Sequence, residues 1–325
     1  MRVLVLGADG FIGARLVQAL ATTDWAEPVA SGRRPAAVDA SHASRQVARM
    51  CFDATDESAL AQALGQVDAA VNCVAGNAQT IVDGARALVG AALRQTRPPR
   101  LVQLSSMAVY GAVSGLTSES APLRGLDPYA QAKIGAEKEF ATYSQAVLLR
   151  PGIVYGPHSR QWSERIARWL FARRLGDLGA LGDGCCNLLY VDDVTRAVLE
   201  CLKRPGLQGQ VFNLSMAAPP TWNDYLIRFA RALGAVPVRR LGRRRLQIET
   251  KLLAPPLKIA EIVVKKAGLR RLSLPEPIPP SLLRLCQQEI RLDVARAEQL
   301  LLLRWTALDE GLQQTAQWWR ERAGE

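Results

Sequence analysis

Three glycines in one short turn constrain the fold of this chain more than any other feature. An apolar run at residues 3–6 leads into Gly7, Gly10 and Gly13, and a stretch with helical spacing follows at residues 11–21. Glycines at these positions let the backbone turn tightly between a buried strand and a helix. The first N–H groups of a helix are unpaired, so this turn is suited to hold a pyrophosphate. The alternative is a tight strand–helix turn without a ligand.

Strand-like and helix-like segments alternate after this turn. The alternation predicts an α/β fold with a doubly wound, Rossmann-type parallel sheet. The pattern loosens after Pro157, so we predict a nucleotide-binding domain at residues 1–157. A smaller α/β region at residues 158–325 would mainly bind substrate, with some of its strands and helices returning to the first domain. The predicted strands are 3–6, 29–31, 47–52, 69–74, 101–105 and 146–149, and the predicted helices are 11–21, 56–64, 80–94, 127–143, 194–202, 222–233, 293–303 and 308–320. Asp192 and Asp193 are predicted to cap the helix at 194–202. The proline-dense tract at 275–280 is predicted to be non-helical.

The composition bounds the class of protein. The chain has 325 residues, of which 49% are hydrophobic and 22% charged, which is typical of a globular enzyme. Its six cysteines form no CxxC pair, and there are two histidines, so we expect reduced core thiols and no metal site. The sequence carries neither a signal-peptide pattern nor an apolar run of membrane-spanning length. We therefore expect a cytoplasmic protein.

The net charge of +11 is concentrated in one segment. Residues 239–271 hold eleven basic residues and two acids, a local net charge of +9 that leaves the rest of the chain near neutral. Residues 257–266 are apolar around much of a helical circumference, with lysines on one side. This favours either a solvated lid over the substrate cleft or a peripheral contact with an anionic membrane. Nucleic acid is disfavoured, because no aromatic residue for base stacking is interleaved with the arginines.

A tyrosine and a lysine lie four residues apart on the predicted helix 127–143. This spacing places Tyr129 and Lys133 on one face of the helix. A free tyrosine has a pKa near 10, and a nearby ammonium group would lower it towards the range useful for acid–base work. Ser106 follows the fifth predicted strand. Because consecutive parallel strands end at one edge of the sheet, we expect Ser106 to lie near this pair.

These motifs resemble the extended short-chain dehydrogenase/reductases, also called the NAD-dependent epimerase/dehydratase family. The glycine turn has the family's GxxGxxG spacing, and Tyr129 to Lys133 is its YxxxK pair. Residues 148–157 and 190–194 match two further signatures, whereas 239–280 has no clear counterpart. The resemblance implies that Tyr129 is the general acid/base and that Ser106 orients the reacting oxygen. It also implies that Lys133 tunes the tyrosine and binds the nicotinamide ribose.

The resemblance also implies an NAD(P) site. Members that bind NAD usually place an acid at the end of the second strand, but this chain has Arg33 and Arg34 there. Arginines at that position suit the 2′-phosphate of NADP, so we expect NADP, with NAD as the alternative if the arginines form only a solvated turn. The other residues implied to line the cofactor are Gly7, Gly10, Phe11, Ile12, Gly13, Asp53, Ala54, Val74, Ala75, Gly76, Ser105, Tyr129, Lys133, Pro151 and Val154.

Two departures from the family narrow the reaction. Sugar-nucleotide dehydratases carry an acidic pair where this chain has Met107 and Ala108, so dehydration is disfavoured. The segment between Gly76 and the next predicted helix is shorter than in many sugar-nucleotide epimerases. The leading hypothesis is an NADP-preferring dehydrogenase or reductase acting on a secondary alcohol or ketone. The alternatives are a sugar-nucleotide epimerase with tightly held NAD and a non-catalytic NADP sensor or assembly factor. The partner hypotheses are a small-molecule substrate, either a nucleotide sugar or another secondary alcohol or ketone, and a second copy of the chain in a homodimer.

Overall fold

A parallel sheet forms the centre of the fold. The computed structural model describes residues 1–35, 47–253, 256–257 and 276–323. Its strands are β1 (Arg2–Leu6), β2 (Glu27–Gly32), β3 (Ala48–Cys51), β4 (Ala69–Asn72), β5 (Arg100–Leu104), β6 (Gly115–Thr117), β7 (Ala146–Pro151), β8 (Ile153–Tyr155), β9 (Leu188–Tyr190), β10 (Val211–Leu214) and β11 (Ile290–Leu292). Seven of them pair in the order β10-β7-β5-β4-β1-β2-β3, and each neighbouring pair is parallel. The predicted α/β fold class is confirmed.

Helices connect these strands. They are α1 (Phe11–Ala21), α2 (Glu57–Leu64), α3 (Ala78–Leu93), α4 (Pro128–Phe140), α5 (Arg165–Phe171), α6 (Val191–Lys203), α7 (Trp222–Leu233), α8 (Arg243–Gln247), α9 (Pro280–Cys286), α10 (Ala295–Leu301) and α11 (Leu308–Ala323). Side-chain caps fix several starts, since Asp56, Asn77 and Asp127 accept hydrogen bonds from the first-turn backbone of α2, α3 and α4. In the described residues, no helix has both the length and the apolar character needed to cross a membrane.

The order of the strands creates a crevice at one edge of the sheet. Strands β1 and β4 are neighbours, although β2 and β3 lie between them in sequence. The chain therefore leaves β1 in one direction and β4 in the other, which is the switch point where open α/β sheets bind ligands. Leu4, Leu6, Leu88 and Phe140 are among the fully buried residues that pack helices against this sheet. The glycine turn follows β1 directly.

The chain divides into two compact units. The first comprises 1–154, 189–217 and 292–305, and the second comprises 155–188, 218–291 and 306–325. The predicted domain boundary at Pro157 lies three residues beyond the first segment of the first unit. Two later segments also belong to the first unit. In the second unit, Trp162, Trp222, Tyr225 and Phe229 form consecutive aromatic contacts with ring centroids 5.8 to 6.3 Å apart.

Three local predictions, for a helix cap, a proline tract and an amphipathic stretch, have different outcomes. Asp192 and Asp193 do not cap α6, because the helix begins at Val191 and both acids lie in its first turn. There Asp192 pairs with Arg15 at 2.5 Å, and Asp193 pairs with Arg196. Residues 276–279 are non-helical as predicted, but α9 begins at Pro280, since proline is tolerated in the first turn of a helix. The predicted amphipathic stretch 257–266 lies outside the described residues, apart from its first residue.

Candidate active site

The glycine turn packs closely against the end of β4. Gly7 has φ +75°, a left-handed conformation that favours glycine, and a Cβ there would lie 3.1 Å from the backbone of Cys73. A Cβ on Gly13 would overlap the carbonyl oxygen of Gly7. Gly10 is the N-cap of α1 and has no side chain to occupy the helix N-terminus. The first N–H groups of α1 are thus left for an anion, and Phe11 and Ile12, both half-buried, follow in the first turn.

The predicted catalytic residues come together at the ends of β5 and α4. Lys133 is buried, and its Nζ donates to the carbonyl oxygen of Leu104 at 2.8 Å, two residues before Ser106. The Nζ also lies 5.8 Å from the centroid of the Tyr129 ring. The Ser106 side chain is hydrogen-bonded to Tyr129. Ser106, Tyr129 and Lys133, which span 27 positions of the sequence, therefore share one site. This is the arrangement that acid–base chemistry at an oxygen atom needs.

Burial shifts the two ionisable groups in opposite senses. It raises the pKa of Tyr129, with a small further rise from Asp127, whereas the hydrogen bond with Ser106 lowers it. The lowered tyrosine pKa expected from the sequence applies with an oxidised nicotinamide bound beside Lys133, and it stays a prediction. Burial also lowers the pKa of Lys133 to about 8, and Cys73 and Glu137 oppose that shift. Neutral Tyr129 can donate a proton at neutral pH, and Lys133 is largely charged there.

A buried ion pair on α4 and β7 lies next to the catalytic candidates. Arg150 on β7 contacts the Glu137 carboxylate at 2.6 Å, and both side chains are almost fully buried. The hydroxyl of Ser105 donates to the same carboxylate. Arg150 also donates to the Tyr110 hydroxyl at 2.8 Å. Since Glu137 lies one helical turn after Lys133, the pair ties α4, the end of β5 and β7 together around the lysine.

The end of β2 carries more charge than the sequence indicates. Arg33 and Arg34 follow β2 directly and are exposed. Arg49 on β3 forms two hydrogen bonds with the Asp9 carboxylate, at 2.7 and 2.9 Å, and donates to the carbonyl oxygen of Arg34 at 2.8 Å. A Cβ on Gly32 would overlap this Asp9–Arg49 pair. A third arginine thus lies at this strand end, and the glycine turn itself supplies the acid that faces it.

The remaining predicted cofactor residues lie after neighbouring strands of the first unit. Asp53 follows β3, and hydrogen bonds from Thr55 lower its pKa, with a smaller contribution from Arg33. Ala54 comes next, and Val74, Ala75 and Gly76 follow β4, where the Val74 N–H donates to the Asn72 side chain at 3.1 Å. Pro151 ends β7 and Val154 lies in β8. Cys73 links two parts of the site, because it touches the glycine turn and interacts electrostatically with Lys133.

Sequence reasoning missed several residues of this region. Glu137 has a recognisable signal, since it repeats the four-residue spacing from Tyr129 to Lys133 on one helix face. Asp9 lies inside the glycine turn, where an exposed acid attracts no notice by itself. Arg49 gives no signal, because its partner is 40 positions away.

Comparison with known proteins identifies the family of this chain. The profile of the NAD dependent epimerase/dehydratase family matches residues 3–215. A dTDP-glucose 4,6-dehydratase of Actinoplanes sp. is 27% identical over 250 residues, which cover 66% of this chain and 76% of that protein. The structure of UDP-glucose 4-epimerase from Thermotoga maritima, solved with UDP-glucose, has a TM-score of 0.73 at 19% identity and covers 99% of this chain and 100% of its own. UDP-glucuronic acid 4-epimerase from Bacillus cereus, solved with UDP-glucuronic acid and NAD, gives 0.74 at 18% identity with the same coverage. At such identities the two structures establish the fold. Because the family match spans more than half of the chain, this protein is an enzyme that belongs to the NAD-dependent epimerase/dehydratase family.

Proposed function

We propose that this enzyme is an NADP-preferring oxidoreductase that reduces a ketone or oxidises a secondary alcohol. The observation that carries this proposal is the cluster of Ser106, Tyr129 and Lys133, which Cys73 connects to the glycine turn. A site with a proton donor, a buried cation and an open helix N-terminus is suited to reduce a carbonyl beside a bound dinucleotide.

The chain's own residues would position the substrate and move one proton. In the reduction, Ser106 would donate a hydrogen bond to the carbonyl oxygen, and Tyr129 would transfer its phenolic proton to the alkoxide that develops there. The raised pKa of Tyr129 supports this direction, because the phenol stays protonated at neutral pH. Lys133 would hold the ribose next to the reacting carbon and stabilise the phenolate left behind. The cofactor, when bound, supplies or accepts the hydride.

The residues of the first unit fit a dinucleotide. The open N-terminus of α1 and the missing Cβ atoms of the glycine turn leave room for a pyrophosphate. Arg33 and Arg34 would bind the 2′-phosphate of NADP. Strand β2 itself ends without an acid, and Asp9 of the glycine turn, which lies there, is already paired with Arg49. The structure from B. cereus was solved with NAD, so NAD is the alternative. Calorimetric titration with each dinucleotide distinguishes them, and tighter binding of NAD would overturn the NADP assignment.

Sugar-nucleotide epimerisation is a second candidate, since the two solved structures compared above are epimerases. Such an enzyme would oxidise and re-reduce one carbon without net consumption of cofactor. Dehydration remains disfavoured despite the Actinoplanes relative, because Met107 is buried and neither it nor Ala108 can donate or accept a proton.

One experiment tests the proposal against the epimerase alternative. The purified enzyme would be incubated with NADPH or NADH and a panel of ketones, while nucleotide sugars are followed by chromatography for interconversion. We expect ketone-dependent oxidation of NADPH that is lost in Tyr129→Phe. Interconversion of a nucleotide sugar, with NAD retained through purification, would replace the proposal by the epimerase. Absence of both activities in a folded protein that binds dinucleotide would favour the sensor hypothesis.

A further inference from the structure

Exposed arginines lie together on the second unit, and we name this set the arginine face: Arg173, Arg239, Arg240, Arg243 and Arg244. Backbone contacts join the two segments that carry it. The N–H of Asp177 donates to the carbonyl oxygen of Arg239 at 3.1 Å, and the N–H of Leu241 donates back to Asp177 at 2.8 Å. The side chain of Arg245 donates to the carbonyl oxygen of Arg173 at 3.3 Å. The arginines are therefore held on an ordered surface.

Among the described residues, the two acids whose ion pairs lie beside this face do not neutralise it. Asp177 is 3.8 Å from Arg240 at its nearest approach, which is a weak ion pair between partly solvated groups. Glu249 is buried and is already paired with Arg174 at 2.7 Å. The other four arginines of the face therefore form no ion pair with either of these two acids. Such a concentration of positive charge attracts an anionic surface over about a Debye length.

Two exposed apolar side chains lie within a few residues of these arginines in the sequence. Ile248 is 47% exposed and lies four residues after Arg244, where α8 continues into the helical turn Ile248–Leu253. The opposite side of this helical stretch is buried through Leu246 and Thr250. Phe171 is also 47% exposed, two residues before Arg173, and its ring stacks on Trp319 with centroids 6.3 Å apart. Basic and apolar groups that share one surface are typical of segments that lie on lipid headgroups.

We propose that the arginine face docks the enzyme on an anionic lipid membrane. Guanidinium groups match phosphate oxygens in two-pronged hydrogen bonds, and the neighbouring Ile248 and Phe171 can enter the boundary between headgroups and acyl chains. Nucleic acid fits the same charge less well. Base stacking needs open aromatic rings among the cations, but residues 239–248 contain none, and one side of the Phe171 ring is covered by Trp319.

Vesicle sedimentation with the full chain tests this proposal. The vesicles would contain either phosphatidylcholine alone or phosphatidylcholine mixed with phosphatidylglycerol. The double variant Arg243→Glu/Arg244→Glu would be compared with Arg97→Glu/Lys138→Glu, which changes the net charge equally at exposed positions of the first unit. We expect wild-type binding to the anionic vesicles only, reduced by added salt. Because each basic residue near such a surface contributes about fivefold, the first variant should weaken binding by at least about tenfold, and the control by less than about twofold.

Several outcomes would overturn the proposal. Wild-type protein that stays in the supernatant with anionic vesicles at low salt would do so, and so would equal weakening by both variants. Tighter binding to a short RNA or DNA duplex at matched phosphate concentration would assign the face to nucleic acid. Unchanged vesicle binding with a reduced kcat/KM in Arg243→Glu/Arg244→Glu would assign it to a lid. Cofactor binding by both variants, measured in parallel, shows whether the dinucleotide site is intact independently of the membrane result.

Discussion

At the scale of single residues, loss of hydration is the largest cause of the pKa shifts of both Tyr129 and Lys133. The two residues share a helix face, yet their pKa values move in opposite directions, upwards for the tyrosine and downwards to about 8 for the lysine. Both shifts favour the neutral form of the side chain. The tyrosine is therefore kept as a proton donor, while the lysine stays charged only below about pH 8.

The first prediction concerns the hydroxyl of Tyr129. Replacing Tyr129 by Phe removes the proton path and leaves the fold intact, so turnover should fall by at least about 10²-fold while the Kd for cofactor changes little. Steady-state kinetics and calorimetry measure the two effects. Tyr143→Phe is the matched control, because that hydroxyl only donates to the carbonyl oxygen of Pro99. Retention of more than about a tenth of the wild-type rate in Tyr129→Phe would remove this residue from its role.

The second prediction concerns pH. Lys133 has a pKa of about 8, so its ammonium is present below that pH and is lost as the pH rises through it. If the ammonium stabilises the phenolate of Tyr129, then kcat/KM should decline on the alkaline side with an apparent pKa near 8. A pH–rate profile measures this limb. Activity that stays level to pH 10 would show that the charge of Lys133 is not needed.

The third prediction concerns cofactor choice. Arg33→Asp places an acid where NAD-binding relatives usually have one and removes a cation from the 2′-phosphate, so preference should shift from NADP towards NAD. The ratio of kcat/KM for the two cofactors reports this shift. Arg97→Asp, at an exposed position away from the glycine turn, controls for net charge. An unchanged ratio in Arg33→Asp would direct attention to Arg49, the third arginine at this strand end.

At the scale of secondary structure elements, the β1–α1 turn has little freedom to change. The turn brings Gly13 against the carbonyl oxygen of Gly7, and Gly7 against the end of β4. This close approach is what allows β1 and β4 to end together below the helix N-terminus. The sheet order then brings Ser106, which follows β5, to the same edge.

The fourth prediction tests this turn. Gly13→Ala introduces a Cβ that overlaps backbone, so the turn must shift and α1 must move away from the strand ends. The free energy of unfolding should fall by about 1–3 kcal/mol, and cofactor affinity should fall as well. Denaturant unfolding and calorimetry measure the two. Gly65→Ala is the control, because its Cβ would make ordinary contacts at 3.6 Å. Equal effects from both variants would contradict a special role for the turn.

At the scale of the whole molecule, charge and function are distributed unequally. The implied cofactor and catalytic residues lie in the first unit, whereas the arginine face lies in the second. The basic segment carries most of the net charge of +11. Because the catalytic side chains and the arginine face have no residue in common, variants in one can be interpreted without confusion from the other.

The fifth prediction concerns assembly. We expect a homodimer, so light scattering of the eluted protein should give twice the chain mass of 35.4 kDa. The measurement would be repeated at high salt, because repulsion between strongly basic chains is screened there. A mass of one chain under both conditions would contradict the homodimer hypothesis.

Local sequence patterns were enough to predict most of the helices and sheet strands and to indicate the family. The helix at 11–21 and the helix at 222–233 were predicted with the bounds that the structure has, and the glycine turn and the Tyr129–Lys133 spacing indicated the family. These features are local, since helical periodicity, capping residues and turn glycines act within a few positions of one another. Short strands such as β6 and β8, each of three residues, have too little pattern to be predicted.

The contacts that hold the site, and the pKa values within it, depend on the tertiary structure. Asp9 meets Arg49 across 40 positions, and Ser105 meets Glu137 across 32. No local pattern links such partners, because their distance depends on the order of strands in the sheet. Burial likewise exists only after folding, and it raises the pKa of Tyr129 and lowers that of Lys133. The residue types were readable from the sequence, but their hydration and their partners arose from the packing of the sheet.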